Sequence, residues 1–490
     1  MNQLDVALVA RSFRAGRAIR NANFRHRRLT VDPITLVLWQ LGGEPFSAAA
    51  IGYGRRRQNL QMAVAGDPRN RDLAFSAMLQ LARWFNAEFE RYAGDRVVTS
   101  RGNAESSTAR TAPQVIAANH ATIEMIGRLG RRLAYLPTNG TNPAPAELVR
   151  LGQHFLFLHR HSRMAGQQLI VSLTDFLSQH WATPLSDIEK QSLAALNAYI
   201  APPDGMNGFF AAAEQERESV GPVPSGEDDK RLDPLVREFN ARRGNRTESP
   251  TIRPLLRPIE IHYRPLVERT WRQTWDAHDR EAAWPEAASV ERRWDADREA
   301  YTRHVDWISQ DGRTRTRQSA RQAAVRLQSL EDAKARLLAE EACDDPLKMI
   351  PYILQNKAVE GSVLRINTEY RELVNARSAR RPLITILSPD ACFIPRGREL
   401  WWTGATDGRE YVVHDVQPDA GGGSVVTLKL ATGYAATAMP RIGSRACFSV
   451  HSTGSRWFAK LPMTEPWSHR PLAEAPPVAI EGGGDDAAAS

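Results

Sequence analysis

The spacing of hydrophobic and polar positions changes character near residue 382 of this chain. Before that point, apolar residues recur every three to four positions in several segments, which is the pattern of amphipathic helices. After it, short runs alternate between apolar and polar residues and are separated by turn residues, as in β-strands. The clearest helical segments are Leu73–Tyr92, Pro113–Tyr135, Pro145–His161 and Gln167–Trp181. The pattern predicts an α+β protein with a mainly α-helical N-terminal domain.

The first 258 residues divide into three parts by composition. Residues 1–30 predict a basic helix or arm, and residues 31–200 a helical domain with loops at Gly42–Ile51 and Arg96–Ala112. Prolines, glycines and a charged run then concentrate in 201–258, which is the composition of a linker, with one short helix inside it.

A second helical region follows the predicted linker. Residues 259–381 are highly charged, and apolar positions near a heptad spacing lie on both sides of Asp311–Gly312. Two amphipathic helices joined by a glycine-containing turn predict a long, stalk-like helical hairpin. We expect the hairpin, within 265–345, to contact a protein partner.

The C-terminal part predicts a small antiparallel β-barrel-like domain at 382–470. Its clearest piece is a hairpin, in which Tyr411–Val416 and Val425–Leu430 flank the turn sequence Pro418–Gly423. Several short strands without intervening helices favour a closed or strongly curved sheet. The last segment, 471–490, is predicted to be a disordered tail.

Composition places the chain among globular proteins of a reducing compartment. Its apolar content of 42% and charged content of 24% are close to globular averages. It has three cysteines without a CxxC spacing and no apolar run of membrane-spanning length. We therefore expect a cytoplasmic protein that does not enter the membrane.

Positive charge is the strongest hint of a partner. The net charge is +8, and the cations are 57 arginines and only seven lysines. A basic surface favours a polyanion such as nucleic acid, although GC-rich codon usage alone would also produce the arginine excess. The candidate nucleic-acid-binding residues are Arg11, Arg14, Arg17, Arg55, Arg56, Arg396, Arg398, Trp401 and Trp402. The tryptophans enter because aromatic faces stack on bases, but adjacent strand positions point to opposite faces, so one of them belongs to the core.

The motifs of the commonest enzymes are missing from the sequence. It has no Gly-Lys pair, and no HExxH, GxSxG or paired CxxC motif, which disfavours P-loop, zincin, serine-hydrolase and zinc-ribbon chemistry. We expect no catalytic motif, no metal and no cofactor. A hairpin followed by a barrel resembles the accessory stalk-and-barrel module of some nucleic-acid helicases, but without motor motifs.

These observations support three hypotheses. The first is a non-enzymatic, nucleic-acid-associated accessory protein that binds a polyanion through arginine-rich surfaces. The second is a structural or adaptor subunit that docks through its helical hairpin. The third is an enzyme whose site is assembled from separated residues such as His154, His161 and Asp175.

Overall fold

The computed structural model describes residues 2–452 apart from 102–103, 142, 245–251, 375–376, 406–408 and 432–438, together with residue 464. The predicted tail at 471–490 lies outside the described residues. None of the described helices is both long and apolar enough to cross a membrane. The described helices are α1 (Gln3–Ala15), α2 (Arg71–Glu90), α3 (His120–Ala134), α4 (Ala146–Ser162), α5 (Leu173–His180), α6 (Leu193–Ile200), α7 (Gly208–Glu216), α8 (Gly226–Arg243), α9 (Arg257–Ala282), α10 (Ser289–Ser309), α11 (Ala320–Asp344) and α12 (Pro346–Leu354).

The described strands form two main sheets. A five-stranded sheet has the order β4-β3-β2-β7-β8, with β2, β7 and β8 parallel, and a closed antiparallel barrel has the order β10-β13-β16-β15-β14-β17. The strands are β1 (Ile19–Arg20), β2 (Ile34–Leu41), β3 (Glu44–Gly54), β4 (Gln61–Val64), β5 (Arg96–Arg101), β6 (Ala104–Ala109), β7 (Val115–Ala117), β8 (Ile170–Ser172), β9 (Trp181–Ala182), β10 (Ala358–Asn367), β11 (Arg371–Val374), β12 (Arg377–Arg380), β13 (Leu383–Ser388), β14 (Glu399–Trp402), β15 (Glu410–Pro418), β16 (Ser424–Leu430) and β17 (Arg445–Ser449).

Helices cover both faces of the five-stranded sheet. Every residue of β2 is buried. Leu36 and Leu38 face a core shared with α2, α3, α4 and α10. Val37 and Trp39 face a second core shared with α8 and α9. Burial of alternate residues on opposite faces therefore fixes β2 at the centre of the N-terminal body.

The described strands add this sheet to the helical domain predicted at 31–200 and replace the two predicted loops. Gly42–Ile51, predicted as a loop, lies mostly in β3, and the predicted loop Arg96–Ala112 contains the β5–β6 hairpin. A strand buried on both faces has no alternating pattern, and a short apolar run does not distinguish it from a buried helix.

The region predicted as a linker, 201–258, is also folded where it is described. Helices α7 and α8 lie within it, and Leu232, Val236 and Phe239 of α8 are buried in the second core. The short helix predicted there is confirmed. Prolines and charges concentrate at the ends of these helices and on their exposed side, which makes the stretch resemble a linker.

Residues 259–381 contain the predicted pair of helices but not a projecting stalk. Helices α10 and α11 run antiparallel, with the backbone N–H of Ser289 donating to Asp344 (2.8 Å) and Arg293 paired with Glu340 (3.1 Å). Trp294 and Tyr301 of α10 are buried in the first core, however. The apolar face of α10 therefore packs against α2, α4 and β6 in the first core, and of the two helices only α11 is largely exposed.

The α+β class and the C-terminal antiparallel barrel are confirmed. The predicted hairpin is β15–β16, whose register pairs Pro418 with Ser424. The barrel begins at Ala358 rather than near residue 382, because β10 pairs with both β13 and β17 and closes the sheet. A register shift between Val363 and Arg365 interrupts the alternation of β10, which conceals it in the sequence.

Candidate nucleic-acid interface

The predicted arginines Arg11 and Arg14 lie on the surface of α1, and Arg17 follows the glycine that ends this helix. Arg11, Arg14 and Arg17 are exposed, and none of them has an ion pair among the described residues. The helix begins with a capping box between Asn2 and Asp5 and ends at Gly16, whose φ of 59° is left-handed. The three side chains form a cationic surface.

Arg55 and Arg56 follow β3 and differ in their surroundings. The guanidinium group of Arg55 contacts carboxylates of Glu88 (3.1 Å) and Asp32 (3.1 Å) and donates to the hydroxyl of Tyr92 (2.6 Å). Arg55 therefore connects β3 with α2, whereas Arg56 is exposed and lies 3.7 Å from Asp32. Of the two, Arg56 is the one available to a ligand.

The barrel residues are divided between the inside and the outside of the sheet. Trp402 packs against the barrel core, and Trp401 lies on the opposite face of β14. The prediction that one of these tryptophans belongs to the core is confirmed. Arg396 is paired with Asp415, and Arg398 is exposed. No hydrogen bond, ion pair or ring contact among the described residues joins this group to α1 or to Arg56.

A cavity of about 600 Å³ gathers a different set of arginines. It lies between α4, α10, α11 and the connection at 310–319, and we call it the arginine cavity. None of its described lining residues is acidic. Its cationic side chains are Arg160 from α4, Arg303 from α10, Arg313 and Arg315 from the connection, and Arg326 from α11.

Four aromatic rings form a ladder along the same cavity. Phe157 stacks on His304 with ring centroids 4.0 Å apart and an interplanar angle of 7°. Phe157 also stacks on His161, with ring centroids 5.5 Å apart. Trp307 continues the ladder from His304 at 6.2 Å and is 36% exposed. Helical spacing produces this arrangement, since Phe157 and His161 are one turn apart on α4, as are His304 and Trp307 on α10.

The connection after α10 is held firmly against Trp307 and α4. The backbone N–H of Gly312 donates to the Trp307 carbonyl (2.9 Å), and a Cβ at Gly312 would lie 2.4 Å from the Trp307 ring. Thr314 donates through its backbone N–H (3.2 Å) and its hydroxyl (2.7 Å) to Gln153 of α4. Glycine is therefore required at 312, and the adjacent Arg313 and Arg315 are positioned by backbone contacts.

Positive charge in the cavity is only weakly compensated. Burial lowers the pKa of Arg326, and the neighbouring Arg160 and Arg163 lower it further. Arg303 lies 3.7 Å from Glu299 in an exposed pair, and Arg313 donates to the Thr138 hydroxyl (2.7 Å). An exposed pair of this length contributes little, so the cavity keeps an excess of cations that favours an anion.

Of the two imidazoles in the aromatic ladder, that of His304 is held in its neutral form. Burial lowers the pKa of His304 well below its ordinary value, and the neighbouring His154 and His161 act in the same direction. A neutral ring preserves the aromatic, weakly polar character of the floor. The cavity thus combines a stacking floor with cationic walls.

The residues of the enzyme hypothesis do not converge on one site. His154 is buried between His304 (3.0 Å) and Glu90 (3.5 Å). His161 contacts Asp297 (2.6 Å), whereas Asp175 contacts a different histidine, His120 (3.2 Å). Among the described residues, no group of three or more histidine, cysteine, aspartate or glutamate side chains could hold a metal ion.

Two signals in the sequence point to the arginine cavity and were not among the predicted sites. One is the alternating run Arg313-Thr314-Arg315-Thr316-Arg317, directly after the predicted turn. The other is the one-turn spacing of aromatic residues on both α4 and α10. Neither is decisive alone, because Phe157 and Trp307 are 150 residues apart in the chain.

Comparison of the chain with protein-family models, with curated proteins and with solved structures gives no match. The case for a function is therefore made from the geometry and chemistry of the arginine cavity.

Proposed function

We propose that this protein is a non-enzymatic accessory protein that binds single-stranded nucleic acid in the arginine cavity. One observation carries the proposal: five guanidinium groups surround a 600 Å³ cavity whose floor is an aromatic ladder and whose described lining has no acidic residue. The hypothesis of a polyanion partner is retained, with its main site moved from the predicted surfaces to this cavity.

Phosphate binding accounts for the arginines. A guanidinium group presents a planar fork of donors that matches two phosphate oxygens, and it stays charged at neutral pH. Each phosphate neutralised by an arginine also releases a condensed counterion, which favours binding at low salt. Five such groups, from four elements, suit a ligand that carries several phosphates.

Base stacking accounts for the aromatic floor. Trp307 ends the ladder and exposes part of its ring, whereas Phe157 and His304 support it from below. A base stacked on such a side chain gains about 1–3 kcal/mol with little dependence on its identity. We therefore expect binding that tolerates changes of sequence.

The shape of the site favours a single strand. A concave cavity of this volume admits a ligand of nucleotide size. The bases of a duplex are stacked on one another inside the helix, so they reach a side-chain platform only when splayed out. The exposed arginines of the predicted surfaces, Arg11, Arg14, Arg17, Arg56 and Arg398, together with the partly buried Trp401, would then be weaker, outer contacts for a longer strand.

Fluorescence anisotropy with a labelled single-stranded hexanucleotide tests the proposal. The logarithm of the association constant should fall linearly with the logarithm of the salt concentration. The expected slope is about −3.5, which is about −0.7 for each of five neutralised phosphates. Raising the salt from 50 to 200 mM would weaken binding by about a hundredfold. Replacing Arg160 and Arg326 with glutamine should reduce the slope, whereas the same change at Arg11 and Arg14 should not. The absence of binding at 50 mM salt would overturn the proposal.

An adaptor function is the second candidate, and one observation favours it. Helix α11 exposes Val325 (46%), Leu327 (58%) and Leu338 (42%), within the 265–345 region expected to contact a protein. Exposed apolar side chains along one helix are typical of docking surfaces. Purification from the native cell at moderate salt separates the candidates, because an adaptor would carry a stoichiometric protein partner and no nucleic acid.

We also propose the cytoplasm as the place of action. Cys343, Cys392 and Cys447 are all free thiols, which is typical of a reducing compartment. Fractionation of the native cell, followed by detection of the protein in each fraction, tests this.

A further inference from the structure

A second cavity, of about 610 Å³, lies between α1, α12 and the β9 segment, and it shares no lining residue with the arginine cavity. Asp5 and Leu8 of α1 form one side, Trp181 and Thr183 another, and Tyr352 of α12 a third. We call it the lysine cavity, for the reason that follows.

The cations that line this cavity are all lysines. Lys190, Lys348 and Lys357 line it, which is three of the seven lysines in the chain, whereas none of the arginines that the structure describes does. Codon bias or a need for positive charge alone would place arginines here, as in the arginine cavity. Lysine differs from arginine in one chemical respect that matters at a site: its amine can lose its proton when buried and then act as a nucleophile.

Lys348 is the most enclosed of the three. Its ammonium group donates to the backbone carbonyl of Gln179 (3.1 Å). Burial lowers the pKa of Lys348, against the opposing effect of the nearby carboxylates of Glu341, Asp345 and Asp5. Lys357 is exposed and donates to the side chain of Gln355 (2.9 Å), and Lys190 is half-buried and lies 3.4 Å from the Asp187 carboxylate. Both amines line the cavity that an anion would enter.

We propose that the lysine cavity binds a small aldehyde or ketone that carries an anionic group, and that Lys348 captures it as an imine. In its deprotonated form the Lys348 amine attacks the carbonyl carbon and a C–N bond forms as the C=O π bond breaks. One proton passes from the nitrogen to the oxygen, which gives a carbinolamine. Loss of one water molecule then gives the C=N bond, so that amine and carbonyl compound yield imine and water without an oxidant or reductant. We assign the proton transfers to Glu341 and Asp5, the two carboxylates that line the same cavity.

The anionic group of the ligand would bind Lys190 and Lys357. A carbonyl compound without such a group should therefore enter less readily, although its chemistry with the amine is the same. This site is independent of nucleic-acid binding, and it would stand if the arginine cavity bound nothing.

Reductive trapping on the full-length protein tests the proposal with two matched aldehydes. Pyridoxal 5′-phosphate and pyridoxal, which differ by the phosphate, are each incubated with the protein and cyanoborohydride, and the modified lysines are identified by peptide mass spectrometry. We expect saturable modification of Lys348, at a concentration at least tenfold lower for the phosphorylated probe. K348R should lose this modification, and K190Q/K357Q should lose the advantage of the phosphate.

Two controls keep the test decisive. K348R preserves the charge, and its unfolding temperature, compared with that of the unaltered protein, shows whether the fold is retained. K334R changes a lysine of exposed α11 and should leave the labelling of Lys348 unaltered. Modification spread over the lysines in proportion to their exposure, or equal labelling by the two probes, would overturn the proposal.

Discussion

Replacing Trp307 with alanine removes the exposed end of the aromatic ladder and no charge. A base stacked on this ring gains about 1–3 kcal/mol, so W307A should weaken binding of a hexanucleotide by about 5- to 150-fold. Because no arginine is lost, the salt dependence of the affinity should be unchanged. R326Q, by contrast, removes one phosphate-binding cation. It should make the slope of log affinity against log salt concentration shallower by about 0.7. The two variants thus separate stacking from phosphate binding.

Fluorescence anisotropy at four salt concentrations measures both quantities for each variant. W307F, which keeps an aromatic ring, should restore most of the affinity, and circular dichroism should show that each variant is folded. W401A is the matched control, since it removes a partly buried tryptophan from the barrel rather than from the cavity. Equal losses for W307A and W401A, or a change of salt slope in W307A, would refute the stacking argument.

Three further results follow from the same structure. G312A should weaken hexanucleotide binding, because the added Cβ would lie 2.4 Å from the Trp307 ring, whereas an equal affinity in anisotropy would show that the connection adapts without cost. D345A should lower the free energy of unfolding, measured in urea, by about 3–5 kcal/mol. The buried carboxylate of Asp345 accepts hydrogen bonds from the backbone N–H (2.6 Å) and side-chain amide (2.9 Å) of Asn23 and from the backbone N–H of Leu347 in α12. A loss below about 1 kcal/mol would contradict this reasoning. The hydrogen bond with Asp175 raises the pKa of His120. The interaction of the protonated imidazole with Asp175 therefore stabilises the fold fully below about pH 6.5, and this stabilisation is lost as the pH rises past the raised pKa. H120N should therefore lower the unfolding temperature more at pH 6 than at pH 9, and an equal shift at both would argue against the ion pair.

The parts of the fold that the sequence predicts well are those with a local cause. The β15–β16 hairpin follows from alternating residues around a proline- and glycine-rich turn. Helices α10 and α11 follow from apolar spacing on both sides of Asp311–Gly312. In both cases the residues that determine the element lie within it.

The strands of the central sheet are determined by helices that lie elsewhere in the chain. Strand β2 is buried because α2, α3 and α4 cover one face and α8 and α9 the other. Burial on both faces removes the alternation that marks a strand, and nothing local replaces it. The described residues of 259–381 do not form the expected stalk for a similar reason. An apolar stripe on α10 indicates that the helix packs on something, but not that its partners are α2, α4 and β6.

A search for basic clusters in the sequence finds only part of the arginine cavity. Arg313 and Arg315 belong to the run at 313–317, whereas Arg160, Arg303 and Arg326 are isolated from it in the chain. Arg55, by contrast, belongs to a conspicuous basic run, yet the structure uses its guanidinium group to join β3 to α2. Clustering in sequence therefore does not show which arginines are already paired with carboxylates.

Photocrosslinking tests the central claim most directly. A single strand that contains 4-thiouridine is bound to the full-length protein at low salt and irradiated, and the crosslinked peptides are sequenced by mass spectrometry. We predict crosslinks in the peptides that carry Phe157, Trp307 and Arg315, and their loss at high salt. Crosslinks confined to α1 or to the barrel around Trp401 would contradict the assignment of nucleic-acid binding to the arginine cavity.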